Sequence, residues 1–191
     1  MIQEPDYFSK VAPEAFGFIE ADVQSRFNSA FPEWVLLSCG LHFLVSNGTD
    51  YFRSGAYIPE PTKMLDELHG DCQDQSVLLA SLYIASGLEP RFVAISDAYG
   101  NGPHVLTEVY CSVPDTDTTY SVLETFYQEE LDMRIETVSW EHSNDSGYWY
   151  VADPEFSRYI GDIKHLKQDD YIRDTGSGWE WCNCREIQSL R

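Results

Sequence analysis

Two long apolar runs dominate the first half of the chain. PEWVLLSCGLHFLVSNG starts at Pro32 and stops at Asn47 and Gly48, residue types that commonly end helices. HGDCQDQSVLLASLYIASG starts at His69, and in it Val77, Leu78, Leu82 and Ala85 make one apolar face that Leu79 and Ile84 widen. Both are predicted to be helices turned to a core. Asp71 suits an N-cap and Gly87 the position just past the helix end, which makes Cys72 the first helical residue. Upstream, Pro5, Pro13 and Pro32 punctuate a loosely structured arm with short helical pieces, and residues 49–71 read as a loop rich in Gly, Pro and aromatics.

Beyond Gly87 the period changes to two. RFVAI, bounded by Pro90 and Asp97, reads as a strand. HVLTEVYCSV reads as a second, with Val105, Thr107 and Val109 on one side and His104, Leu106, Glu108 and Tyr110 on the other. YSVLETFY and MRIETVSW, separated by QEELD, are expected to form a hairpin or an added pair of strands. GYWYVADP supplies the last strand signal, which Pro154 should end at Asp153. Helices first, then consecutive strands with short connections, predict an α+β fold in which the Cys72 helix packs on an antiparallel sheet. At 191 residues, 43% hydrophobic and 14% aromatic, the chain suits one packed domain.

Charge narrows the partners. The net charge is −20, Lys occurs only at positions 10, 63, 164 and 167, and acids are scattered through stretches such as PDTDT and KQDDY. Nucleic acid is therefore a poor partner, and a surface that stays soluble under screening salt points to a salt-adapted source. No apolar run reaches about 18 residues, so no membrane span is expected, and MIQEPDYFSK does not read as a secretory signal. The five cysteines at 39, 72, 111, 182 and 184 form no regular framework, which fits free thiols in a reducing cytoplasm. Cys182 and Cys184 stand too close for the usual zinc knuckle and have no second ligand pair, so no metal site is expected there; a redox pair or an incidental feature remains. No EF-hand-like calcium loop is visible and no cofactor is needed.

Three residues at element ends carry candidate chemistry. Unpaired amides at a helix N-terminus favour thiolate over thiol, and a cysteine so placed can have its pKa lowered from about 8.5 to roughly 3.5–7.5. A small buried hydrophobe is the plainer alternative for Cys72. His104 starts a strand and Asp153 ends one, so all three can converge at one rim of a helix and sheet layer. Thiol acyl transfer needs these types: a thiolate to attack a carbonyl, an imidazole to hold and then deliver the proton, and a carboxylate to fix the imidazole. His69 would need a sharp turn to serve as base, His42 reads as a core histidine, and His142 and His165 sit in polar stretches. Glu108 and Glu124 lie mid-strand in this reading, and Asp74 reads as a solvated first-turn acid.

PTKMLDELHGDCQDQSVLLASLYIASGLEPRFVAI resembles the nucleophile region of the transglutaminase-like superfamily, a Gly-x-Cys-x-Asp helix followed by Gly and a strand. HVLTEVY is similar to that superfamily's histidine strand and YWYVADPEFSRYIGD to its Asp-Pro segment, so the resemblance runs from Tyr57 to Asp162. It implies a papain-like core with Cys72 as nucleophile, His104 as base and Asp153 as orienting acid, and an oxyanion met by the Cys72 amide and a further donor, for which Tyr57 is the candidate. The departures are Val105 and Leu106 after the histidine and a long gap from His104 to Asp153. The implied layout is a single domain over 1–191: an N-terminal helical region to residue 56, a core over 57–162 with a hairpin insertion near 112–147 that is a lid or a sheet extension, and a C-terminal extension over 163–191. The expected function is acyl transfer on amide bonds of a peptide or protein, by hydrolysis or by exchange with an amine. The alternatives are a non-catalytic binding or scaffold module of the same fold and, behind it, a redox or metal protein centred on Cys182 and Cys184.

Overall fold

A computed structural model describes residues 13–52, 61–95, 103–112, 115–143, 147–164, 170–174, 179–183 and 187–190. Helix α1 (Pro13–Arg26) leads into α2 (Glu33–Gly48), whose buried face carries Val35, Leu36, Cys39, Leu41 and Val45. A two-residue strand β1 (Asp50–Tyr51) pairs in parallel with β2 (His69–Gly70), with the short helix α3 (Pro61–Glu67) between them, so part of the expected 49–71 loop is structured. Helix α4 runs Cys72–Ala85, as its apolar spacing predicts, and Gly87 follows at φ +79, a left-handed conformation that glycine adopts without strain. Tyr83 anchors α4 to α2 by donating its hydroxyl to the Ser38 carbonyl at 2.9 Å.

The strands β3 (Pro90–Ile95), β4 (His104–Cys111), β5 (Val138–His142), β6 (Tyr148–Ala152), β7 (Asp170–Asp174), β8 (Trp179–Asn183) and β9 (Ile187–Leu190) form one seven-stranded sheet in the order β8-β7-β3-β4-β6-β5-β9. All six pairings are antiparallel. Tyr148–Ala152 is therefore not the last strand: three more follow it, and the C-terminal stretch supplies strands at both edges of the sheet. Pairing of β9 with β5 is set by contacts some fifty residues apart, which local propensity cannot register.

Helix α4 lies against β4. Ser76 donates its hydroxyl to the Val105 carbonyl at 2.9 Å, and Thr107 donates to the Ser76 carbonyl at 3.0 Å. Val105 packs with Val77, Ala80 and Phe92, while Leu106 is buried on the other face with Val93, Ile95 and Val151. The two residues that depart from the superfamily pattern after His104 are thus packing positions.

The expected hairpin is corrected by the structure. Residues Thr116–Leu131, which include YSVLETFY, form helix α5, capped by Asp115, whose carboxylate accepts from the Asp117 amide at 3.2 Å. Its aromatic and β-branched composition suggests a strand, but the buried side chains, Thr119, Leu123, Phe126 and Tyr127, fall at helical steps of four, three and one. The tail of the second stretch does enter a strand, β5, which pairs with β6. Glu124 accordingly sits exposed on a helix and not in a strand.

Candidate active site

Local sequence builds the thiol's position first. Asp71 caps α4 by accepting from the amides of Gln73 at 3.0 Å and Asp74 at 3.3 Å, and Asp74 returns the bond by accepting from the Asp71 amide at 2.9 Å. This reciprocal box fixes the first turn, with Cys72 partly exposed at its start. Asp74 is buried, contrary to the expectation of a solvated acid: it is held under Gly70, where an added Cβ would collide with its side chain. A tight backbone approach of that kind is open only to glycine.

His104 opens β4 and Asp153 follows the end of β6, and the two meet: His104 Nε2 lies 2.7 Å from Asp153 Oδ2, with the histidine 4% and the aspartate 0% exposed. The Cys72 sulfur stands beside the same imidazole, within 4.8 Å of a ring nitrogen, and favours its protonated form. Asp153 takes Nε2, which leaves Nδ1 as the nitrogen open to the sulfur. Burial, the largest single influence, pulls the His104 pKa down, but the bonds and charges of Asp153 and Cys72 outweigh it and raise it to about 10, so the ring is held as an imidazolium at neutral pH.

Asp153 is itself immobilised. Its Oδ1 accepts from the amides of Glu155 at 3.0 Å and Phe156 at 3.4 Å, and its carbonyl accepts from Ser157 at 3.1 Å. The buried His42 ring donates from Nε2 to the same carbonyl at 3.1 Å. Burial lowers the His42 pKa, which keeps that ring neutral. His42 is thus a core histidine, as its helix suggests, and one that steadies the carboxylate bonded to His104.

The turn at Asp153 has a second result that sequence reasoning missed. It swings Glu155 back so that its Oε2 lies 3.6 Å from His104 Nδ1, and it lays the Phe156 ring against the imidazole at a centroid distance of 5.0 Å. Burial is the largest influence on Glu155; together with the charges of Asp153 and Asp71 it lifts the pKa to about 7, against the opposing pull of His104. One ligand atom each from Cys72, His104 and Glu155 lies within 4.8 Å of the others. The signal available in the sequence was Pro154, which favours chain reversal and returns the residue after it toward the strand just left.

The other candidates fall elsewhere. His69 is exposed, donates from Nδ1 to the Glu67 carbonyl at 2.8 Å and stands edge-on to Phe52. Glu108 is buried, but Arg91 Nε binds it at 2.5 Å while Arg91 Nη2 reaches Glu141 at 2.6 Å, so it belongs to a separate ion cluster. Tyr57, His165 and Cys184 lie outside the described residues, as do the side chains of His142 and Cys182. No helix among the described residues is long and apolar enough to cross a membrane.

No protein-family model and no curated protein matches the sequence. Among solved structures the chain is similar to LapG of Legionella pneumophila in three forms. The EGTA-treated form gives a TM-score of 0.54 at 12% identity over 97% of this chain and 83% of that one. A further LapG structure gives 0.52 at 13% identity over 93% and 80%, and the calcium-bound form 0.51 at 14% identity over 86% and 75%. At such identities the likeness concerns the fold alone. The architecture is accordingly an α+β fold like that of LapG, in which N-terminal helices and an antiparallel sheet pack against the helix that begins at Cys72.

Proposed function

We propose that this protein is a thiol-dependent enzyme acting on amide bonds of a peptide or protein, with Cys72 as nucleophile, His104 as acid and base, and Asp153 as the residue that positions His104. One observation carries the reading: a single buried imidazole is bonded on one nitrogen to a carboxylate at 2.7 Å and has, within 4.8 Å, a thiol at a helix N-terminus. In the first step the Cys72 sulfur adds to the amide carbonyl, the C–N bond breaks, and the proton held by His104 passes to the departing amine, leaving a thioester. Water, deprotonated by His104, then releases the acid; an amine in place of water would give a new amide. The Cys72 amide is the proposed oxyanion donor, with Tyr57 as the second.

The test is acylation by an activated ester such as p-nitrophenyl acetate, followed by mass mapping. The wild type should carry the acyl group on Cys72 and turn it over. Cys72→Ser should lose at least about 10³-fold in rate while melting at the same temperature, given what removal of a nucleophile costs in such triads. A wild-type protein that is never acylated, or a Cys72→Ser variant as fast as wild type, would overturn the proposal.

A further inference from the structure

The Cys72, His104 and Glu155 ligand atoms make a set that acyl transfer alone does not call for. Acyl transfer uses the thiol, the ring and Asp153; Glu155 touches the ring on the side where the sulfur sits. The three atoms lie within 4.8 Å of one another, and the nitrogen to carboxylate separation is 3.6 Å. Around a tetrahedral zinc ion, with bonds of about 2.0–2.2 Å to N and O and about 2.3 Å to S, ligand atoms stand roughly 3.4–3.6 Å apart. The nitrogen to carboxylate spacing is therefore already that of a metal centre, and the sulfur, within 4.8 Å of both atoms, has about 1 Å or less to close.

Three further features agree. Thiolate, neutral imidazole and carboxylate together carry two negative charges, which balance a divalent cation in a half-buried setting. The remaining nitrogen of His104 is bonded to Asp153, the arrangement by which metal-bound histidines are normally oriented and made more basic. Cys72 is partly exposed, so an ion has a way in from solvent.

We infer that Cys72, His104 and Glu155 form a site for a borderline-soft divalent cation, Zn2+ being the best match, and that its occupation locks the thiol reversibly. Binding forms bonds from the ion to Sγ, Nδ1 and a Glu155 oxygen, and the protons they displace from the thiol or ring leave to solvent. The ion then holds the electron pairs that attack on a carbonyl would use. Loss of activity rests on the proposed function; the site itself does not.

The experiment uses the full chain in a Cys182→Ser/Cys184→Ser background, which removes the two C-terminal thiols. Zn2+ should bind one to one, slow alkylation of Cys72 by iodoacetamide at least 10-fold, and be reversed by EDTA. Co2+ in its place should give sulfur-to-cobalt charge-transfer absorption that vanishes after Cys72 is alkylated, a readout that needs no site variant. Glu155→Gln should weaken Zn2+ binding at least 10-fold. Binding that survives alkylation of Cys72, or that is indifferent to Glu155→Gln in a folded protein, would overturn the inference. A protein without acyl-transfer activity that still binds the ion through Cys72 would retire the proposed function and leave the site standing, whereas an active enzyme untouched by Zn2+ would do the reverse.

Discussion

Two buried polar clusters occupy the same sheet, and they handle charge in opposite ways. On β3, β4 and β5, Arg91 lies between Glu108 and Glu141, binding them at 2.5 and 2.6 Å, and stacks its guanidinium 4.2 Å over the Trp149 ring. One planar cation with a fixed fork thus serves both carboxylates and an aromatic face, an arrangement that suits guanidinium and not ammonium. At the rim, Asp153 and Glu155 flank one imidazole that also holds a thiol. In the first cluster both carboxylates are bonded to the one guanidinium, so the group closes on itself. The second is assembled from a thiol, a histidine raised to about 10 and a carboxyl lifted to about 7, so the protonation of its ring and of Glu155 is set by their neighbours. Burial with a permanent cation yields a staple; burial around a histidine yields the site to which the proposed chemistry is assigned.

Breaking each cluster should have different consequences. The largest effect is expected for Asp153→Asn, which removes the charge that holds His104 as an imidazolium. By analogy with other triads the rate should fall about 10²–10⁴-fold. Its pH profile is equally diagnostic. His104 has a folded pKa raised from 6.5 to about 10, so its contribution to stability is complete below 6.5 and is lost as pH rises through 10. The alkaline limb of wild-type activity should fall in that region, and in Asp153→Asn it should move to lower pH. An unmoved limb would mean that Asp153 does not set the ring's charge.

Arg91→Met should leave two buried carboxylates without a cation and cost about 3–5 kcal/mol in denaturant titrations, while acylation per folded molecule stays at the wild-type level. Adding Glu108→Gln and Glu141→Gln should recover most of that loss. Activity falling in step with Arg91→Met in fully folded protein would erase the distinction between the two clusters. The smallest effect is expected from salt. If the net charge of −20 is an adaptation to salt, raising ionic strength from about 0.1 to 1 M, which shortens the Debye length from about 10 to 3 Å, should raise the melting temperature by a few degrees. Wild type and Arg91→Met should gain equally, since the buried cluster is screened little. A melting temperature independent of salt would remove the adaptation.

Several elements were legible because the forces that make them are local. Asp71, Cys72 and Asp74 lie within one turn of one another, so a cap and a helix start can be read directly, and α4 begins at Cys72 as expected. Alternation over His104–Cys111 likewise reports one sheet face against α4 and another turned away. Helix α5 was not legible, because Tyr120, Val122, Phe126 and Tyr127 favour strands by residue type and only the spacing of the buried set favours a helix. Glu155 escaped notice because its place beside His104 depends on a turn held by the Asp153 carboxylate and on strand β6 lying next to β4.

The order of residues along the chain therefore determined which groups stand at the ends of elements: a capped thiol, a histidine opening a strand, an aspartate before a proline. It could do so because capping, periodicity and proline stereochemistry act over a few residues. Which of those ends share a rim, that a second carboxylate joins them, and that Glu108 belongs to a different cluster were decided by antiparallel pairing between β3, β4, β5 and β6. That pairing brings together groups as far apart as His104 and Asp153, 49 residues along the chain, and only in the packed state are they close enough, and dry enough, for the carboxylate to hold the proton on the ring.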